Sequence, residues 1–401
     1  MLLKKIVYTH LIPISIALIV VLFMFGKFKK QHVELNFKTN AIQQISYVDR
    51  FYPNQIESQF AFSYALKNRI PVVLGSSELT SEHLEALPKN FFKTQRSFSL
   101  GHAGFQSFAI LACLAANRTL LQQSKITIIL SPGWFEKQYS SGTSLNSFFE
   151  FCPPNYLYQI YKDELLDFQT KAHIQKFMSV NYDKISSPNA VIRLMGRKTM
   201  SEVTNIMNWP YDFFDKKEIQ FMEQVDFNLI SQRTILNSLT LPSSDRYHFY
   251  NRPINWDSLT DVSKAKFKTI SNNNDLSVEN NYYSAWLKNK PKKKLEFVDE
   301  DNNQELQDFY ALVRFLKHNH CKAQFVIMPL NTKAHENLNV LVPTINSINK
   351  ALGDANFNIL DLFTPNVTSY EEGILEDIMH PYNVGWYKID KFILDNFNDD
   401  K

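Results

Sequence analysis

Cysteine is scarce in this chain of 401 residues, and its scarcity excludes several kinds of site. The cysteines, Cys113, Cys152 and Cys321, lie far apart in the sequence, and no pair has the spacing of metal ligands. Because three thiols cannot all pair within one molecule, a disulfide framework is not expected. Cys113 falls in an apolar helical stretch and Cys321 just before a predicted strand, so we expect buried free thiols.

Glycine and an excess of one charge are also lacking. Only 10 residues are glycine, against 32 phenylalanines and 18 tyrosines, which is unlike a disordered or low-complexity chain. The 43 basic and 40 acidic residues leave a net charge of +3, and no basic stripe carries interleaved aromatic residues. A nucleic-acid binder is therefore not expected. With 44% hydrophobic residues, the chain can form one large domain or two average ones.

One long apolar run lies near the amino terminus, from Ile6 to Gly26. As a helix it would span about 31 Å, which is enough to cross the core of a bilayer. A cleaved signal peptide would need small residues after the run, but the lysine-rich segment 27–30 follows instead. We therefore predict an uncleaved membrane anchor at 1–30 and a polar connector at 31–50. Lysines flank the run on both sides, so charge does not decide which side of the membrane the remainder occupies.

The remainder, residues 51–401, shows the alternation of short apolar runs and amphipathic stretches that is typical of an α/β fold. Regular alternation stops between residues 136 and 300, where helical spacing prevails. We predict a doubly wound, five-stranded parallel sheet with a large, mainly helical insertion at about 136–300. The predicted strands are residues 71–74, 96–100, 125–130, 323–328 and 357–362.

The first predicted strand ends in Gly75-Ser76-Ser77, a glycine followed by small polar residues. Such a turn lifts a hydroxyl group out of the carboxyl edge of a sheet, where open α/β sheets place their chemistry. Ser77 is therefore a candidate nucleophile. The alternative is an ordinary strand-to-helix turn in which the serines cap a helix.

Asp377 and His380 are three residues apart in a predicted loop before the last helix. Histidine can take a proton from a serine hydroxyl near neutral pH, and a carboxylate on its other nitrogen fixes the tautomer. A helix cap is the alternative interpretation. The loops that carry Ser77 and this pair follow the first and last strands of one predicted sheet, and such loops meet at one edge.

An acyl group attacked by serine develops an oxyanion that needs hydrogen-bond donors. The backbone amides of Ser77 and Gly101 are candidates because Gly101 ends the second predicted strand; a plain strand-ending glycine accounts for Gly101 equally well. Gln106 and Trp134 follow the second and third strands and are candidate substrate contacts by position. Core packing accounts for Trp134 at least as well.

A run of lysines, Pro291-Lys292-Lys293-Lys294, falls in a predicted solvated loop. An exposed charged patch is the simpler interpretation of this run. Contact with a phosphate polymer is the alternative.

The order of these motifs resembles that of the SGNH (GDSL-like) hydrolase superfamily. Gly75-Ser76-Ser77 is similar to its Gly-Asp-Ser block with serine in place of the aspartate, Gly101 to its second block, and Asp377-x-x-His380 to its last. The third block departs from the pattern, since Ser131-Pro132-Gly133-Trp134 contains no asparagine. The resemblance implies a Ser77–His380–Asp377 triad that lacks one oxyanion donor, which argues against efficient hydrolysis by water.

A closer resemblance, over nearly the whole chain, is to the DltD family of D-alanyl-lipoteichoic acid biosynthesis. It rests on the amino-terminal apolar segment and on four blocks in the same order, although that family often has glutamine where this chain has Gly133. The blocks are Val73-Leu74-Gly75-Ser76-Ser77-Glu78-Leu79, Gly101-His102-Ala103-Gly104-Phe105-Gln106, Ser131-Pro132-x-Trp134-Phe135 and Asp377-x-x-His380-Pro381.

This resemblance implies an acyltransferase that is anchored in the cell membrane of a Gram-positive bacterium by a single segment, with its catalytic domain on the extracellular side. Its implied partners are lipoteichoic acid, membrane lipid, a membrane-bound O-acyltransferase and an acyl-carrier protein. Ser77 would carry the D-alanyl group as an ester, without a metal or other cofactor. The alternatives are a membrane-tethered esterase or thioesterase, and a non-catalytic scaffold that binds a carrier protein.

Overall fold

The computed structural model describes residues 7–27, 56–80, 98–181, 184, 193–194, 213–222 and 254–397. The chain divides into two compact units, one made of residues 1–41 and 177–241 and the other of residues 42–176 and 242–401. Part of the predicted insertion therefore belongs to a different unit from the sheet described below. The predicted connector at 31–50 lies outside the described residues, and the predicted domain boundaries stay predictions.

The first unit contains helix α1 (Ile12–Lys27), which follows a π-helical turn at Val7–Leu11. The same unit holds a helical segment at 213–222. Within the described ranges, no helix combines the length and the apolarity that a membrane crossing requires. The predicted membrane anchor therefore stays a prediction.

The second unit contains the predicted α/β fold, which the structure confirms. Among the described residues, five parallel strands form one sheet in the order β2-β1-β3-β4-β5. In doubly wound sheets of this order, ligands bind at the carboxyl edge where the strand order reverses, which here lies between β1 and β3. The strands are β1 (Val72–Gly75), β2 (Phe98–Gly101), β3 (Lys125–Leu130), β4 (Lys322–Ile327) and β5 (Asn358–Asp361).

Helices cover both faces of this sheet. The helices named after α1 are α2 (Ile56–Lys67), α3 (Ser107–Ala116), α4 (Leu145–Phe151), α5 (Pro154–Lys162), α6 (Phe168–Asn181), α7 (Trp256–Ile270), α8 (Gln304–His318), α9 (Val342–Asp354) and α10 (Asn383–Phe397).

Alternation along the strands gives each face its own core. Val73, Ile129 and Val326 pack in one apolar cluster with Trp386 and other residues of α10. On the opposite face, the Phe325 ring contacts an α8 ring, that of Phe309, at a centroid distance of 6.1 Å, and α8 packs against α3. Successive strand side chains point to opposite faces, so strands of four to six residues are apolar throughout when both faces are covered.

The described part of the predicted insertion is helical, as expected. Between β3 and α8 it contains α4 to α7 and short helical turns, and the described residues of this stretch form no strand. The insertion packs against the loop after β2, where the ring of Phe151 in α4 stacks on that of Phe105 with ring centroids 4.2 Å apart. The expected free thiols are confirmed, because all three cysteines are buried and unpaired by disulfides.

Candidate active site

Ser77 stands at the carboxyl end of β1, in the turn that the sequence predicted. The strand ends at Gly75, and Ser77 begins a 3₁₀ turn that runs to Thr80. Gly101 pairs with Gly75 in the sheet register. A Cβ atom at Gly101 would lie 2.3 Å from the Gly75 carbonyl oxygen, so the close approach of the two strand ends requires glycine. This packing requirement explains Gly101, and its role as an oxyanion donor stays a prediction.

The loop that carries Asp377 and His380 folds back on itself before α10. The Glu376 amide donates to the His380 carbonyl oxygen at 2.9 Å. The Asp377 Oδ1 atom accepts the backbone amides of Met379 at 2.8 Å and His380 at 2.7 Å. These bonds hold a buried carboxylate beside the ring of the histidine that follows it by three residues.

The structure brings the three predicted residues together. His380 Nδ1 lies 2.7 Å from Asp377 Oδ2, and His380 Nε2 lies 2.9 Å from Ser77 Oγ. In this arrangement one imidazole nitrogen can donate to the carboxylate while the other accepts the serine proton. The geometry therefore has the hydrogen bonds that activation of a serine alcohol requires.

Charge around His380 favours the imidazolium. Burial lowers the pKa of His380, but the hydrogen bond and charge of Asp377, together with the charges of Glu78 and Glu376, raise that pKa to about 9. A proton taken from Ser77 is thus held strongly at this site.

Glu78 is a site residue that the sequence argument did not single out. Its side chain is buried, and Oε2 accepts the backbone amide of Ser76 at 2.9 Å. Burial raises the pKa of Glu78, while backbone amides and the charge of His380 act in the opposite direction. The carboxyl group therefore fixes the backbone on either side of the nucleophile.

Asn331 was also missed, although it lies in the segment that follows β4 at the same edge. Its side chain is fully buried. Asn331 Nδ2 donates to the carbonyl oxygens of Leu276 at 2.9 Å and Asp377 at 3.4 Å, and its own amide donates to the Ile378 carbonyl at 3.0 Å. One asparagine thus ties the Asp377–His380 loop to the end of β4 and to the insertion.

The insertion reaches the site at Glu279 and Tyr282. The Glu279 amide donates to the Glu376 carbonyl oxygen at 2.8 Å. Burial and the charge of Asp377 raise the pKa of Tyr282 to about 12. This part of the insertion therefore forms one wall beside the histidine loop.

The predicted substrate contacts Gln106 and Trp134 are both largely buried, each 7% exposed. Gln106 Nε2 donates to the Tyr139 carbonyl oxygen at 3.4 Å. Trp134 lies in a 3₁₀ turn after β3, with its ring 6.5 Å from that of Phe135. Their burial fits core packing, and a substrate role for either stays a prediction.

A metal site is not apparent in the part of the chain that the structure describes, since no group of three or more His, Cys, Asp or Glu side chains there could hold an ion. The described relay consists of protein side chains alone. The prediction that no cofactor is needed stays a prediction.

The sequence is similar to a known protein family. No curated protein matches the chain. The family model described as DltD protein matches residues 49–398, a range that includes Ser77, Asp377 and His380. Because this match covers most of the sequence, the chain belongs to the DltD family.

Proposed function

We propose that this protein transfers D-alanyl groups onto lipoteichoic acid through an ester on Ser77. Membership of the DltD family implies involvement in the D-alanylation of teichoic acids. The observation that carries the finer proposal is the relay from Ser77 through His380 to Asp377, with heavy-atom distances of 2.9 and 2.7 Å.

In the first half-reaction, Ser77 Oγ attacks the carbonyl carbon of a D-alanyl donor while His380 Nε2 takes the serine proton. The tetrahedral intermediate collapses, and the leaving group departs with the proton that His380 returns to it. The new bond is the ester between Ser77 and D-alanine. Asp377 keeps the imidazole in the tautomer whose Nε2 is free to accept.

In the second half-reaction, a hydroxyl group of the acceptor polymer loses its proton to His380 and attacks the seryl ester. Ser77 leaves and recovers its proton from the imidazolium. One ester replaces another, so the exchange is nearly isoenergetic and consumes no nucleotide.

The oxyanion of both steps would accept hydrogen bonds from the backbone amides of Ser77 and Gly101. The asparagine that SGNH hydrolases use as a further donor is absent from Ser131-Pro132-Gly133-Trp134. Fewer donors slow attack by water and by an alcohol alike, so the proposed preference for the polymer rests on binding of its hydroxyl group beside the seryl ester.

The proposed location is the outer face of the cell membrane, with residues 1–30 as a single-pass anchor. Support comes from the apolar composition of α1, whose described side chains Ile14, Ile16 and Ile19 are exposed. A membrane-bound O-acyltransferase and an acyl-carrier protein of the same pathway are the proposed partners, and membrane lipid surrounds the anchor.

A serine-directed phosphonate tests the proposal on the full-length protein in detergent. We expect mass spectrometry to find the adduct on Ser77, and we expect Ser77→Ala to abolish both the adduct and polymer alanylation. Ser76→Ala is the matched control, because it removes the neighbouring hydroxyl, which donates to the His102 carbonyl oxygen at 3.2 Å. The control should still form the adduct.

Two other functions predict different results in the same assay. Release of free D-alanine without labelling of the polymer would indicate an esterase or thioesterase. Alanylation that persists in Ser77→Ala would indicate a non-catalytic scaffold. Either result would overturn the transferase proposal.

A further inference from the structure

A dense group of lysines borders the segment of the insertion that reaches the site. No acidic residue occurs between Glu279 and Glu296 in the sequence. We call this group the lysine strip; its members are Lys288, Lys290, Lys292, Lys293 and Lys294. All except the half-buried Lys293 are exposed.

The lysine strip is docked firmly rather than carried on a free loop. The Lys293 amide donates to the Ala334 carbonyl oxygen at 2.9 Å, and the Glu336 amide donates to the Lys293 carbonyl at 3.0 Å. Two residues on, Leu295 exchanges backbone hydrogen bonds of 2.9 and 2.8 Å with the Asn337 side chain. These bonds hold the strip against the segment that follows β4.

The segment beneath the strip is the one that positions the histidine loop. The Ala334 amide donates to the Asn331 carbonyl oxygen at 3.2 Å and to Asn331 Oδ1 at 3.1 Å. Asn331 in turn bonds to Asp377 and Ile378, as described above. A short chain of hydrogen bonds therefore connects the strip to the loop of His380.

Aromatic side chains lie under two of the lysines. The Lys290 ammonium is 5.8 Å from the ring centroid of Trp286, and the Lys293 ammonium is 6.0 Å from that of Tyr139. Trp286 is 61% exposed. The rings restrict the lysine stems without neutralising their charge.

Among the residues that the structure describes, acidic side chains offset only part of this charge. Glu136 Oε1 lies 3.8 Å from the Lys293 ammonium. Glu296 pairs at 2.5 Å with Lys137, a lysine outside the strip. Lys288, Lys290 and Lys292 thus present a local positive field on a protein whose net charge is only +3.

We propose that the lysine strip binds the phosphodiester backbone of the acceptor polymer and guides its hydroxyl groups to Ser77. This inference rests on the proposed function. The backbone at Lys293 is β-like, since it pairs with His335, so Lys292 and Lys294 are spaced by about 7 Å on the same side. That spacing is similar to the separation of neighbouring phosphates in a glycerol-phosphate chain, and lysine binds phosphate as a point charge.

An extended polymer fits this surface better than a membrane does. Peripheral membrane binding through a helix needs an amphipathic helix with a broad apolar face. The segment 288–294 is instead non-helical, and charged side chains dominate it. Its hydrogen bonds to the segment after β4 also lead toward the site, where an acceptor has to arrive.

Direct binding tests the inference without requiring catalysis. Full-length Ser77→Ala protein in detergent is titrated with poly(glycerol phosphate) at low salt, with and without four further lysine-to-glutamine changes. A control carries the same loss of charge on exposed lysines elsewhere in this unit. The test changes are at Lys288, Lys290, Lys292 and Lys294, and the control changes are at Lys266, Lys268, Lys350 and Lys391.

We expect the test changes to weaken polymer binding at least about tenfold, with the difference shrinking as salt is raised, and the control to bind as the parent does. Equal binding by test and control proteins would overturn the inference, as would lysine-dependent binding to phosphatidylglycerol vesicles with none to the polymer. In protein that keeps Ser77, the same lysine changes should raise the KM for the polymer and leave phosphonate labelling unchanged; this result would support the inference. If the wild-type protein does not react with the phosphonate, that result counts against the proposed function, while the binding result still stands.

Discussion

Two buried aspartates in the same unit, Asp377 and Asp390, differ in whether their carboxyl groups are hydrogen-bonded. Asp377 is 7% exposed, and its oxygens accept two backbone amides and contact the His380 ring. Asp390 in α10 is 1% exposed, and neither of its oxygens has a hydrogen-bond partner among the described residues. Burial raises the pKa of Asp390 well above its ordinary value.

The difference shows where the fold uses polar contacts. A buried carboxylate is costly unless it is hydrogen-bonded, and two backbone amides of its own loop donate to Asp377. The buried face of the Asp390 helix instead packs apolar side chains, among them Trp386, Ile389 and Ile393. We therefore expect changes at Asp377 to affect chemistry first and changes at Asp390 to affect stability first.

The largest expected effect comes from Asp377→Asn. The amide side chain can still accept the two backbone amides through its oxygen, but its NH₂ group facing Nδ1 favours the wrong histidine tautomer. We expect labelling of Ser77 by the phosphonate to slow roughly 10³- to 10⁴-fold. Asp354→Asn, at an exposed position on α9, is the matched control and should label at the wild-type rate. Near-wild-type labelling of Asp377→Asn would exclude the proposed role of Asp377.

A smaller effect is expected from pH. Ser77 can lose its proton only to neutral His380, whose pKa is raised to about 9, so the labelling rate should rise with pH until about that value. At pH 7 the rate should be about a hundredfold below its plateau. In Asp377→Asn the labelling rate should level off at a lower pH, because the charge and hydrogen bond that raise the pKa of His380 are gone. A wild-type labelling rate that levels off near pH 6.5, the ordinary pKa of histidine, would contradict the raised pKa of His380.

Asn331 links the two ends of the site, and its replacement should have a still smaller effect. Asn331→Ala removes the donor to Asp377 and Leu276 and the acceptor for the Lys333 and Ala334 amides. We expect labelling of Ser77 to slow about tenfold, because a small misplacement of the relay is costly. We also expect a change in the pH at which the labelling rate levels off. Asn331→Asp keeps the acceptor and loses the donor, so it separates the two contributions. If the pH dependence of the labelling rate is unchanged in both variants, the role of Asn331 is structural only.

The sheet and the relay residues could be predicted from the sequence, whereas the residues that hold the relay in place could not. The β3 strand was predicted at its observed bounds because an apolar run of six residues, isolated by turn residues, has few alternatives. Ser77 and His380 were brought together by topology alone, since both follow strands of one parallel sheet. Asn331 was missed because its role depends on which carbonyl groups surround it, although its place after β4 was a usable signal. The same is true of Glu78, whose burial beside Ser76 follows from tertiary packing.

The smallest effect is expected at Asp390, and it should be a gain in stability. In the folded state this acid stays protonated to a higher pH than in the unfolded chain, so its presence lowers stability as pH rises above the ordinary aspartate pKa. Asp390→Asn removes the ionisation but preserves the shape. We expect thermal unfolding at pH 7 to show a gain of about 1–3 kcal/mol in the free energy of unfolding, shrinking to near zero at pH 4, with unchanged labelling of Ser77. A loss of stability at pH 7 would mean that Asp390 is ionised and paired, and would remove the contrast with Asp377.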